Sequence, residues 1–210
     1  MWQCVIGVLL LGWAQTGFAL TLDVGMLTQI DGRVEIVTAK EGKHPATAFL
    51  KVALGDKLVL GRDARLRIVY FETSRQETWK GAGEVAIGNG EGRSSILQPE
   101  TSKLPPLVAR QLAKTPISGQ HGKSGMVTVR ALSSDTAESL EKQYNEFRAA
   151  AAEGDTTPEV FILTGLMEMK EFEQAQTVLE RLRATLSRNP ALAVVISHFE
   201  PLVKEAAARQ

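Results

Sequence analysis

Gly122-Lys123-Ser124 is the stretch whose residue types promise most chemistry, because a glycine, a lysine and a hydroxyl in that order cradle phosphates in nucleotide-binding loops. That loop also needs a glycine five positions ahead of the Gly-Lys pair, a strand before it and a helix after it. Ile117 holds the glycine position, Pro116 precedes it, and the strand-like Met126–Arg130 follows. The stretch reads as a flexible charged loop, with no nucleotide. Gly81-x-Gly83 and Gly88-x-Gly90-x-Gly92 lack dinucleotide spacing and open no helix, so they punctuate strands. His44, His121 and His198 stand apart, without the spacing of metal ligands. Ser94-Ser95 and Ser133-Ser134 lack the strand-turn-helix setting of an activated nucleophile. Glu171 and Glu173 read as the solvent face of a helical hairpin. We therefore assign no catalytic residue, no metal ligand and no cofactor.

The remaining chemistry is that of contact. Trp79 on a short strand is either a core residue or, if exposed, a ring on which a partner or a glycan stacks. Residues 98–134 carry Lys103, Arg110, Lys114, Lys123 and Arg130 against the single acid Glu100. From Asp135 onward thirteen acids face eight bases. The basic stretch is a solvated linker or a contact for an acidic partner, the chain's own helical part included. The candidate partner contacts are Trp79, Lys114, Lys123, Phe161 and Phe172.

These residues must be positioned by a chain of 210 residues, enough for one large domain or two small ones. Lys plus Arg and Asp plus Glu both number 24, so no net field points to nucleic acid or a membrane surface. Cys4–Ala14 is an uncharged apolar run, too short for a helix that spans a bilayer in roughly 20 residues. With Gly17-Phe18-Ala19 it fits a signal peptide, residues 1–19, cut after Ala19. An uncleaved anchor or a buried first strand is the alternative. Cys4 is the only cysteine, so cleavage leaves no thiol and no disulfide framework.

From Met26 the apolar positions recur every second residue. Val34, Ile36 and Thr38 alternate with Arg33, Glu35 and Val37, and Asp31-Gly32 before them signals a hairpin. Ala39–Ala48 reads as a loop. Leu58–Leu60 and Leu66–Tyr70 flank the turn-like Gly61–Ala64, which predicts paired strands. Short strands follow at Gln76–Lys80 and Glu84–Ile87, and Ser94–Leu97 closes the run. Seven or so such strands predict an all-β sandwich or roll over residues 20–97.

The order Gly32-Arg-Val-Glu-Ile36, Leu54-Gly-Asp-Lys-Leu58, Gly61-Arg-Asp-Ala-Arg-Leu-Arg-Ile68, Trp79 and Glu84-Val-Ala-Ile87 resembles the FecR-like periplasmic domain. The likeness covers about residues 25–97 and lies in turn chemistry, so it speaks to a fold more than an activity. The chain departs at Glu72-Thr73-Ser74, where the family has Asp-Gly; threonine takes a positive φ less readily than glycine, which predicts a different turn type.

Residues 98–133 form a connector with Pro99, Pro105, Pro106 and Pro116, one or two helical turns within Leu104–Leu112, and one further strand at 126–130. From residue 134 the period becomes helical. Asp135-Thr-Ala-Glu138 is a capping box, and Ala137, Leu140, Tyr144, Phe147 and Ala151 form one stripe. Pro158–Lys170 has a broad apolar face, Val160, Phe161, Leu163, Leu166, Met167 and Met169, and predicts the most buried helix. A third helix starts near Glu171 and a fourth near Asn189-Pro190, with a kink or a fresh start at Pro201. Lys170-x-Phe172-x-x-Ala175-x-x-x-Leu179-x-x-Leu182 resembles the turn and second helix of a tetratricopeptide repeat.

The fold class expected is thus α+β: an N-terminal all-β sandwich or roll, then a helical-hairpin domain of about four helices over 134–210. The resemblances imply a periplasmic protein of a Gram-negative-type envelope, non-enzymatic, serving as scaffold, adaptor or sensory component toward another envelope protein. A glycan- or peptidoglycan-binding module and a regulator in a FecR-type signalling system are the alternatives. No membrane span follows Ala19 in the sequence, which sets the chain apart from a relay that crosses the membrane.

Overall fold

The structure, a computed structural model, describes residues 22–39, 41–115 and 137–208. The expected signal segment with Ala19, the loop at Lys123, the strand at 126–130 and the first residues of the capping box lie outside them.

The chain is α+β, with ten strands followed by helices among the described residues. The strands are β1 (Asp23–Asp31), β2 (Val34–Thr38), β3 (Gly42–Pro45), β4 (Lys51–Ala53), β5 (Lys57–Leu60), β6 (Arg65–Tyr70), β7 (Arg75–Lys80), β8 (Gly83–Ile87), β9 (Gly92–Arg93) and β10 (Glu100–Lys103). They form two five-stranded antiparallel sheets, ordered β10-β7-β6-β1-β4 and β3-β2-β5-β8-β9. Leu27, Ile36, Leu58, Leu66, Ile68, Tyr70 and Trp79 fill the space between the sheets.

Two turns expected to close hairpins do something else. Asp31-Gly32 leads from β1 in the first sheet to β2 in the second, and Gly61–Ala64 leads from β5 in the second to β6 in the first. Both are corners of the sandwich. Gly32, with φ +76°, lies against the second corner: a Cβ there would stand 3.1 Å from Ala64 Cα. Gly55-Asp56 is a third corner, from β4 to β5. Gly55 has φ +90°, and Asp56 Oδ2 accepts the Ala53 N–H at 2.8 Å. The loop expected at 39–48 contains an edge strand instead, β3, paired with β2 from Glu35↔Pro45 to Thr38↔Gly42. No strand forms at Ser94–Leu97.

The first sheet is covered on both faces, which is why β6 reads as an almost unbroken apolar run. Leu66, Ile68 and Tyr70 point into the sandwich, while Val69 joins Met26 and Phe49 in a second core shared with the helices. Phe49 reaches it through a bulge. Its N–H donates to the Leu27 carbonyl at 2.6 Å, and Leu27 N–H donates to the Leu50 carbonyl at 2.9 Å, so two residues oppose one. Phe49 has φ +64° there, a conformation that costs a non-glycine residue about 1 kcal/mol. Complete burial of its ring holds it in place.

The helices are α1 (Pro106–Lys114), α2 (Ala137–Ala150), α3 (Thr157–Met169), α4 (Phe172–Thr185) and α5 (Leu192–Ala207). The segment expected as a linker is therefore structured up to residue 115: β10 is an edge strand of the first sheet, and α1 is a layer of the core. Its Leu107, Val108, Ala109 and Leu112 are buried between the sheet and α3. Lys51 Nζ, from β4, donates to the Ala113 carbonyl at 2.9 Å and satisfies one of the open carbonyls at the end of α1. Burial lowers the Lys51 pKa, and the charge of Asp23 opposes that.

Helix α3 is buried almost throughout. It ends at Lys170 in the left-handed conformation, φ +62°, with Glu171 N–H donating to Leu166 O at 2.9 Å and Lys170 N–H to Met167 O at 3.2 Å. Gly165 lets α2 approach; a Cβ there would meet Leu140 Cδ2 at 2.5 Å. Helix α5 continues through Pro201 without a fresh start, one of the two outcomes, kink or fresh start, expected from the sequence. Its packing against α4, with Phe199 and Val203 buried, keeps the helix together past the lost N–H.

Polar pairs stitch the array to the sandwich and α1. Arg67 of β6 forms a buried ion pair with Asp155, which lies before α3. Asp155, one residue ahead of the α3 N-cap Thr156, accepts the Thr157 N–H at 3.0 Å and its hydroxyl at 2.6 Å through Oδ1, which satisfies one of the open N–H groups at the start of the helix. Arg148 of α2 donates to the Asp155 carbonyl and pairs with Glu159 at 3.2 Å. Thr115 and Thr164 hydroxyls meet at 2.9 Å.

Candidate functional site

At one open end of the sandwich, three pieces of chain converge. The turn between β6 and β7 uses Ser74 as its left-handed residue, φ +55°, so the positive φ falls one place beyond Thr73. Thr73 Oγ1 donates to the Gly90 carbonyl at 3.0 Å and ties this turn to the one between β8 and β9 in the opposite sheet. Gly90 itself has φ +88°. Strand β10 closes the third side along the edge of the first sheet.

Beneath these turns a carboxylate is sealed in. Glu77 is 0 % exposed. It accepts Arg75 Nε at 2.7 Å, Trp79 Nε1 at 3.1 Å and the Gly92 N–H at 3.0 Å. These donors offset the cost of burying its charge. Gly92 must be bare, because a Cβ would lie 2.9 Å from Glu77 Oε2, Trp79 Cζ2 and Val85 Cγ1 alike. The Tyr70 hydroxyl is buried beside Glu77; burial, then the charge of Glu77, push its pKa far up.

Above Glu77 lies a polar groove of about 540 Å³, walled by Thr73, Arg75, Gly90, Glu91, Thr101 and Lys103 among others. It offers hydroxyls, a guanidinium, an ammonium and backbone groups of an edge strand. Arg75 is tied to Glu77, and Glu91 to Arg93 at 3.4 Å. Lys103 has no ion pair among the described residues. The chemistry on offer is hydrogen bonding to a polar chain and attraction of a negative charge. A second groove, of about 510 Å³, lies between α4 and α5, walled by Phe172, Glu173, Gln176, Val203, Lys204 and Ala207.

The residues singled out from the sequence are not brought together. Trp79 is 1 % exposed and its ring faces the sandwich core, so it presents no surface to a partner or glycan. Phe161 is also fully buried, packed edge to face on Phe147 at 6.3 Å between centroids. Neither is a partner contact, because each is needed inside. Phe172 is half-buried and lines the second groove. Lys114 turns to the chain's own helical array: its Nζ lies 2.6 and 2.8 Å from the Glu168 carboxylate oxygens, and Gln111 donates to the same carboxylate at 3.1 Å. Lys123 and Ala19 lie outside the described residues.

His44 sits 3.5 Å from Glu41, and His198 is half-buried with its pKa lowered by burial. Among the described residues no cluster of three or more His, Cys, Asp or Glu could hold a metal ion, and no helix is long and apolar enough to cross a membrane. Of the groove residues, the sequence marks Lys103 only as part of the basic stretch and gives no sign of Arg75 or Thr101, because Glu100-Thr-Ser-Lys103 has no apolar alternation. Its β-prone Thr-Ser between Pro99 and Pro105 was the available sign of an edge strand. No family model, curated protein or solved structure matches this chain.

Proposed function

We propose that this chain is an exported, non-enzymatic protein of the cell envelope that serves as a periplasmic scaffold or adaptor through protein–protein contacts. The observation that carries the reading is the shared core. Met26, Phe49 and Val69 of the first sheet pack in one cluster with α1 and the four helices that follow. Two grooves, one at the sandwich end and one at the α4–α5 end, are thereby held at a fixed separation on a single body. Such a body can position two protein segments relative to each other, and flexibly linked modules cannot. The apolar N-terminal run and the FecR-like turn pattern support export, and the repeat-like helical hairpin supports contact with protein.

The glycan-binding reading loses its anchor, since Trp79 is inside. A role in FecR-type signalling rests on the resemblance alone. Expression of the full chain with a C-terminal tag, followed by periplasmic release and in-cell crosslinking, tests the proposal. The tagged chain is expected in the released fraction, covalently joined to an envelope protein. A chain retained in the cytoplasm, or one that sediments with cell wall and forms no protein adduct, contradicts it.

A further inference from the structure

Among the described residues, no strand pairs with the outer edge of the first sheet where it meets the groove. Strand β10 pairs with β7 from Glu100↔Thr78 to Lys103↔Arg75. Just past it, Leu104 N–H donates to the Ser74 carbonyl at 2.9 Å, continuing the same register. Antiparallel pairing alternates, so the backbone groups of Glu100 and Ser102 face β7, like those of Leu104, and those of Thr101 and Lys103 point off the edge. All four β10 residues are exposed. The strand has no bulge in its register and no proline within it; its brevity and Lys103 are what guard it against indiscriminate pairing, and Lys103 does so by charge.

The charges along this edge are uneven. Glu100 is satisfied by Lys80 at 2.6 Å. Lys103 stands directly opposite Arg75, a like-charge cross-strand pair of the destabilising kind. Glu77 neutralises Arg75, and nothing among the described residues does so for Lys103. Thr101 and Lys103 line the groove, so a strand added to β10 would send alternate side chains into it.

We infer that β10 is a docking edge for an extended acidic segment of a partner protein, which adds as a sixth strand to the first sheet and places a carboxylate beside Lys103. This deepens, and rests on, the scaffold reading. The backbone groups of Thr101 and Lys103 supply the ladder, and Lys103 selects the charge.

The test uses the full chain and two synthetic peptides, acetylated and amidated, one alternating Thr and Glu and its counterpart alternating Thr and Lys. Binding is followed by NMR titration and by amide exchange at Thr101 and Lys103. The acidic peptide is expected to slow exchange at both amides and to bind about tenfold tighter than the basic one, the discrimination of attraction against repulsion at one site. Thr101→Pro removes one outward N–H and leaves the bonds to β7 in place, so it should abolish binding with the fold retained. Lys103→Glu, at an exposed position, should reverse the preference. Equal binding of both peptides, binding that survives Thr101→Pro, or protection elsewhere overturns the inference. Absence of binding by either peptide also overturns it. The scaffold reading would survive that result if in-cell crosslinking still joined the chain to an envelope protein, and would fall with it if no protein adduct formed.

Discussion

Replacing Asp155 with asparagine keeps the shape of the side chain and removes its charge. The Arg67 and Asp155 side chains are 9 % and 5 % exposed, so the guanidinium left behind has little water to turn to. Its Nε already has no partner among the described residues. Loss of one member of such a buried pair costs about 3–5 kcal/mol. Asparagine retains an oxygen for the Thr157 N–H, so that hydrogen bond, worth about 1 kcal/mol, survives. The expected loss for Asp155→Asn is therefore about 3 kcal/mol, at the low end of that range. Arg67→Met leaves the buried Asp155 carboxylate only its Thr157 hydrogen bonds, since Arg148 reaches the backbone carbonyl, and should likewise cost about 3 kcal/mol. The double variant buries no unpaired charge and should fall within about 1 kcal/mol of the parent. Urea unfolding of the four proteins, followed by far-UV circular dichroism, gives the cycle. Losses that simply add in the double variant would refute the claim that the two side chains act as one pair.

Other substitutions separate backbone strain from packing. Lys170→Gly relieves a left-handed residue at the end of α3 and should stabilise by about 0.5–1 kcal/mol in the same assay; a loss would show that Lys170 makes a contact that matters more. Gly55→Ala should cost about 1–2 kcal/mol although nothing lies within 4 Å of the new Cβ, because φ +90° is the sole cause; an unchanged melting temperature would contradict this. Gly165→Ala drives a methyl into buried Leu140 and should cost about 1–3 kcal/mol, read as lost helical signal. Burial raises the Glu168 pKa, but the hydrogen bonds from Lys114 and Gln111 outweigh that and hold it below 4.5. A lowered carboxylate pKa stabilises above the unfolded value and ceases to as pH falls through the folded one, so Lys114→Met should lessen the acid sensitivity of unfolding below pH 4.5. An identical pH profile would show that the pair contributes nothing.

Turn chemistry was the most legible part of the chain. Gly55-Asp56 marks a corner because only glycine takes φ +90° at low cost and the Asp56 carboxylate reaches back to the Ala53 N–H. What such a turn connects was not legible. Leu58–Leu60 and Leu66–Tyr70 look like neighbours in one sheet, yet they lie in different sheets, since alternation is the same for a hairpin and a corner. The helices stood out through their apolar stripes; at Pro201 a fresh start does not occur, because tertiary packing of Phe199 and Val203 carries α5 past it. The groove was hidden for a physical reason: an edge strand exposed on all its residues buries nothing, so β10 carries no hydrophobic period. Glu77 gave no sign either, because its partners come from β7 and from Gly92 across the sandwich.

The account stands on the sandwich and the helical array being one body joined through α1. Differential scanning calorimetry of the chain from residue 20 onward measures this directly. One cooperative transition, with equal calorimetric and van't Hoff enthalpies, is the predicted result. Two separated transitions, one for the strands and one for the helices, would contradict it.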